Sequence, residues 1–192
     1  MNQTEARLYN QAIVFAAEAH TGQFRKYTGE PYILHPLDVA ETLRRYDRPI
    51  EEIVAGVLHD VVEDTNRTLK QVKFHFGSDI ADLVNGVTNV AEDKSVPRVD
   101  RFWQNVLHLA DQTEGSQNIK CADIISNLKN FPLDNEASLV NYCAEKLIVL
   151  DHLHLADSTL LMQAQEVVRR NLLGLVAEYN HQRGIIEKAR PL

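Results

Sequence analysis

The chain has 192 residues, is 44% hydrophobic and 24% charged, and carries a net charge of −7. That balance fits a globular protein with a sizeable core, built as one domain or as one domain with a helical extension. The acidic charge argues against a general nucleic-acid or anionic-membrane binder, which would be basic.

Cys121 and Cys143 are too few for a disulfide framework and match no zinc spacing, so reduced thiols are expected. No stretch reaches the roughly 18 apolar residues of a membrane span. The opening residues, with Glu5, Arg7 and Glu18 among apolar positions, lack the layout of a signal peptide. The expectation is a cytoplasmic protein with no nucleic-acid or membrane partner. Composition leaves the oligomeric state open.

Apolar residues recur at intervals of three and four through most of the chain, and strict alternation is scarce, so the fold class is all-α. The spacing predicts helices over 4–20, 36–46, 50–62, 68–76, 78–88, 98–112, 116–131, 137–154 and 158–181. The segment 21–34 carries Gly and Pro and reads as a loop, as does 89–97. Pro36 suits a first helical turn, Thr68 an N-cap, and Gly77 a helix end. The tail after Gly184 reads as frayed. No repeat or low-complexity tract is visible.

Placed on one helix, residues 53–64 turn Ile53, Val54, Val57, Leu58, Val61 and Val62 to one half of the circumference. His59, Asp60 and Glu63 fall on the other, with Asp64 near the border. Residues 120–130 repeat the design. Cys121, Ala122, Ile124, Ile125 and Leu128 share one face, and Lys120, Asp123, Asn127 and Asn130 share the opposite one. Two such helices, joined by His35, can converge on one divalent ion. A mixed imidazole and carboxylate site suits Mn²⁺, Fe²⁺ or Zn²⁺. Glu63 and Asp64 lie one turn beyond the ligands, where two close carboxylates can divide the acid and base roles. The remaining histidines read as surface or satisfied core residues. His152 and His154, two apart on a helix, point to different sides.

Three blocks go further than the His59-Asp60 dipeptide: AAEAHTGQFRKYTGEPYILHPLDVAETL, then AGVLHDVVEDTNRTLKQVKFHFGSDIADLVNGVT, then IKCADIISNL. In order and spacing they resemble the hydrolase domain of the Rel/Spo alarmone family, above all its small stand-alone, Mesh-type members. The likeness is strongest over residues 8–155. It implies an all-α HD-domain fold of about eight to ten helices around a metal site, with residues 1–192 forming a single phosphohydrolase domain.

The resemblance further implies Mn²⁺-dependent removal of the 3′-pyrophosphate from (p)ppGpp, giving GDP or GTP and pyrophosphate. Carried over by motif, His35, His59, Asp60 and Asp123 are the metal ligands, and Glu63 and Asp64 are the catalytic pair. Arg25, Lys26, Lys94 and Asn127 contact the nucleotide substrate. Lys120 and Asn130 share the polar face of Asp123 and join the substrate contacts, and Tyr27 or Tyr32 can add an aromatic face or hydroxyl. The last motif departs from the family at Ile124, Ser126 and Asn130. Those departures leave adenine alarmones such as (pp)pApp, or another nucleotide, as alternative substrates. Nothing resembles a synthetase region, so the implied enzyme degrades its substrate and does not make it.

Overall fold

The structure is a computed structural model. It describes all residues except 92, 130, 132–135 and 189–192, and the side chains at 136, 137 and 175–188 are also outside the description. Among the described residues the chain is helical, and its one strand-like feature is a bridge between Phe24 and Pro31.

The helices are α1 (Gln3–Ala19), α2 (Leu34–Arg45), α3 (Ile50–Leu58), α4 (Val61–Asp64), α5 (Leu69–Phe76), α6 (Ser78–Val87), α7 (Arg98–Ala110), α8 (Glu114–Lys129), α9 (Glu136–Asp151) and α10 (Ser158–Lys188). Local chemistry sets several boundaries. Asn2 caps α1 in a box with Glu5, and Thr68 caps α5 in a box with Gln71, so each end satisfies free N–H groups reciprocally. Gly77 ends α5 at φ +90°, a backbone state that suits glycine. The expected fraying after Gly184 is corrected: α10 continues as helix to Lys188.

Helices α3 and α8 form the centre. Both are buried around most of their circumference, which corrects the expectation of half-polar helices. Helix α2 packs on both, α1 and α6 cover α3, and α10 lies along α8 and α9. Close approach of α2 and α3 depends on Gly56, where an added Cβ would stand 2.7 Å from Leu43 Cδ1.

One polar network runs through the centre. Arg48 bridges Glu52 of α3, Glu114 of α8 and Asp157 before α10. Asn118 donates to Glu52 at 3.1 Å and accepts from the Asp157 backbone N–H at 2.7 Å. This network fixes α8 against α3 in both directions, because leaving any member unpaired in the interior is costly. Burial pushes the Cys121 thiol up to about 12 and the Cys143 thiol up to about 11, so both are unreactive. Among the described residues no helix is long and apolar enough to cross a membrane.

Candidate metal centre and substrate cavity

The sequence reading placed His59, Asp60 and the carboxylate pair on one continuous helix. The structure breaks that helix. Helix α3 ends at Leu58, His59 and Asp60 form a turn, and α4 begins at Val61. The chemical residues therefore sit at a helix end and not on a helix flank. Helix α3 is buried from Glu52 to Leu58, and the chemical residues follow directly on its last buried turn. The hydrogen bond from the Asp64 backbone N–H to the Asp60 carbonyl, at 2.9 Å, keeps the expected stacking of 60 and 64. The expected 59-to-63 stacking within one helix is lost.

Three segments bring the four proposed ligands together: the first turn of α2, the turn between α3 and α4, and the middle of α8. His35 Nε2 lies 3.2 Å from Asp123 Oδ1 and 3.5 Å from Asp60 Oδ2. His59 Nε2 lies 3.0 Å from Asp60 Oδ2 and 3.9 Å from Asp123 Oδ1. One ligand atom from each of His35, His59 and Asp123 falls within 4.8 Å of the other two.

Both imidazoles are oriented from behind. The His59 Nδ1 faces the Gly56 carbonyl at 2.8 Å, which can only accept, so Nδ1 carries a proton and Nε2 points into the cluster, where it would offer its lone pair to an ion on losing its own proton. That buried Nε2 makes no well-aligned hydrogen bond, its near neighbour being Asp60 Oδ2 at 3.0 Å. Burial disfavours the charged imidazole, but Asp60 and then Asp123 outweigh it and lift His59 to about 9. Burial alone would likewise raise both carboxyls. His59 beside Asp60 and Lys120 beside Asp123 hold them below the usual carboxylate range. Two inward nitrogens and two carboxylates, with a ring nitrogen among them that makes no well-aligned hydrogen bond, fit a divalent ion of borderline hardness.

Around this centre the proposed residues fall into distinct positions. The Tyr32 hydroxyl lies 2.8 Å from Asp60 Oδ2 and 3.0 Å from Asp64 Oδ2, tying the cluster to the carboxylate beyond it. Burial and those carboxylates drive the phenol far above its usual range, so it remains a donor. Burial and the Asp60 charge raise the Asp64 carboxyl. Glu63 instead accepts from both the side-chain amide and the backbone N–H of Asn89.

Lys120 is committed to Asp123 Oδ2 at 3.0 Å. Asn127 donates to Asp123 and accepts from Arg25 Nη2 at 2.9 Å, linking the centre to the loop after α1. Lys26 lies over the Tyr27 ring, 5.2 Å from its centroid. Asn130 lies outside the described residues.

A cavity of about 610 Å³ opens beside the centre, lined by Arg25, Lys26, Tyr27, Tyr32 and Asn127 on one side and by Arg98, Tyr142, Glu145 and Lys146 on the other. Tyr27, Phe131 and Tyr142 form an aromatic run with ring centroids 5.2 Å apart at each step. A second cavity of about 490 Å³ holds Glu63, Lys94, Arg98 and Arg101. Lys94 and Arg25 therefore serve adjoining cavities that share Arg98.

Sequence reasoning missed the wall built by α7 and α9. Its signal was present as a polar stripe at Asn141, Tyr142, Glu145 and Lys146, spaced by three and four. It also missed what Ser126 does. Ile124 is fully buried, and Ser126 is buried and bonded to His35 and Asp38. Neither lines the cavity, so these two departures do not touch the proposed nucleotide site.

A paired-histidine, paired-aspartate centre at a helix break of an all-α fold defines a class of metal-binding hydrolases. The HD-domain family pattern matches residues 12–117, and the chain belongs to that family of phosphohydrolases. Among characterised relatives it is similar to the mouse guanosine-3′,5′-bis(diphosphate) 3′-pyrophosphohydrolase MESH1, 40% identical over 131 residues that cover 66% of this chain and 71% of the mouse protein. The human protein of the same name is 39% identical over 131 residues, with the same coverage of 66% and 71%. The Aquifex aeolicus enzyme named for the same activity is 37% identical over 119 residues, which are 62% of this chain but 17% of that longer protein. A solved structure, described as a metazoan ortholog of SpoT that hydrolyses ppGpp and plays a role in starvation responses, superposes with a TM-score of 0.74 at 27% identity, covering 88% of this chain and 96% of that one.

Proposed function

We propose that this protein removes the 3′-pyrophosphate of (p)ppGpp, yielding GDP or GTP and inorganic pyrophosphate. The observation that carries the reading is the His35, His59, Asp60 and Asp123 cluster, joined through Tyr32 and Asn127 to a cavity lined by Arg25, Lys26 and Arg98 in an otherwise acidic protein. Relatives named for that activity support it.

The four cluster residues would hold a divalent ion, Mn²⁺ in our reading, with Fe²⁺ or Zn²⁺ as alternatives. When bound, such an ion supplies Lewis acidity toward a phosphoryl oxygen and makes water more acidic. The protein's own groups do the rest. Gly56 and Ser126 orient the two imidazoles from behind. Arg25 and Lys26 offset the charge of the substrate diphosphates, and Asn127 couples Arg25 to Asp123. The Tyr27, Phe131 and Tyr142 rings offer a flat wall for a nucleobase.

Hydrolysis breaks the bond between the 3′ oxygen and phosphorus, with water supplying the new oxygen. One proton must leave the water, and one must reach the departing 3′ oxygen. Glu63, held by Asn89, accepts the first. Asp64, raised by burial and Asp60 and held by Tyr32, delivers the second.

The test is incubation of purified protein and Mn²⁺ with ppGpp, pppGpp, ppApp, pppApp and simple nucleotides, with products resolved by chromatography. Pyrophosphate with GDP or GTP is expected. Release of single orthophosphate, or attack only at the 5′ end, overturns the reading. Exclusive turnover of the adenine compounds would keep the bond cleaved and correct the base.

A further inference from the structure

We propose that Lys146 of α9 is a phosphoryl-binding residue of the cavity, taking an oxygen of the diphosphate that is cleaved. The inference rests on the phosphohydrolase reading of this cavity and names a contact that reading does not contain.

Lys146 occupies an unusual place. It lines the main cavity of about 610 Å³ and also a side cavity of about 120 Å³ that holds Lys120, Asn89 and Asn105. Only Glu145 and Lys146 are common to both linings. Glu145 is engaged by Arg98. Among the described residues the Lys146 ammonium has no hydrogen bond and no salt bridge, and its one close partner is the Tyr142 ring, 5.0 Å from the centroid.

The surroundings explain why this matters. Burial, then the charge of Lys120, disfavour the ammonium and lower it to about 8, although Asp123, Glu145 and Glu63 act in the other direction. A surface lysine that merely snorkels keeps its head in water and its ordinary basicity. Lys146 does not. It is half-buried, lies within the field of Asp123 and Glu63, and is without an anion of its own. An ammonium so placed is matched by an incoming phosphoryl oxygen, which supplies the missing partner. The position also fits the cleaved group, because Lys146 shares the side cavity with Lys120, which is bonded to Asp123 of the metal cluster.

The experiment is calorimetric titration of the protein with inorganic pyrophosphate in Mn²⁺-containing buffer, for wild type, Lys146→Met and Lys146→Arg. Losing one charge-assisted contact should weaken pyrophosphate binding about 10–100-fold in Lys146→Met. Lys146→Arg should retain most of the affinity. Should the Met variant fail to fold, Lys146→Gln replaces it. Equal affinity in wild type and the uncharged variant overturns the proposal, as does absence of pyrophosphate binding by wild type. The alarmone assay above is separate. Turnover of ppGpp with unchanged pyrophosphate binding in Lys146→Met sinks this inference alone. Lysine-dependent pyrophosphate binding without ppGpp turnover sinks the alarmone reading alone.

Discussion

The hydroxyl of Ser126 lies 2.9 Å from Nδ1 of His35. The same hydroxyl lies 2.9 Å from the Asp38 carboxylate, which Lys129 holds at 2.6 Å. A carboxylate only accepts, so the serine proton points to Asp38 and the serine oxygen accepts from His35 Nδ1–H. His35 then turns Nε2 into the cluster, toward Asp123 and Asp60. Ser126 of α8 thus orients the His35 ring, and Asp38 of α2 orients Ser126.

Removing that hydroxyl should loosen the ring without emptying the site. Residues that orient a metal-bound imidazole typically contribute about 10–100-fold in metal affinity. Ser126→Ala is expected to weaken Mn²⁺ binding by about that factor, read by competition with a chelating dye. Unchanged affinity would show that packing alone orients His35.

Asp60 contacts both imidazoles and also takes the Tyr32 hydroxyl. Asp60→Ala should therefore lose both bound metal and activity. Elemental analysis of the purified variant checks it, and full metal occupancy would remove Asp60 from the ligand set.

The carboxylate pair should behave differently. Glu63→Gln and Asp64→Asn keep shape and remove the proton-handling group. Each should lower kcat by about 10²–10⁴-fold with bound metal unchanged. Near-normal kcat in both variants, or loss of the ion in either, would mean the pair has another role.

Lys146 gives a prediction for stability. Held at about 8 against an ordinary 10.5, its ammonium is disfavoured in the folded protein. At ~1.4 kcal/mol per pH unit, discounted because the group lines an open cavity, the cost is roughly 1–3 kcal/mol. The unfolded chain binds this proton more tightly, so the penalty is full below about pH 8 and fades as pH rises toward the unfolded value. The charged groups facing it are Lys120, Asp123, Glu145 and Glu63. Lys146→Met should therefore be more stable than wild type at pH 7, with the advantage shrinking toward pH 10. Denaturant unfolding at several pH values tests this, and a pH-independent difference would contradict it.

The helical class, the capping positions Thr68 and Gly77, and the four residues that cluster were legible in the amino-acid order. These are local facts. Helical periodicity and caps depend on neighbours a few residues away, and the motif residues carry their chemistry in their side-chain type. The polar face Lys120, Asp123 and Asn127 was legible for the same reason, since i,i+3 and i,i+4 spacing alone joins them. The remaining features depend on burial and on distant segments. The chain breaks at His59-Asp60, where these two side chains meet His35 and Asp123 from distant segments. Ser126 faces Asp38 and His35 because α8 packs across α2, a relationship between residues about ninety positions apart that no local pattern encodes. Lys146 became visible only when α9 closed the cavity opposite Arg25 and left its ammonium without a partner.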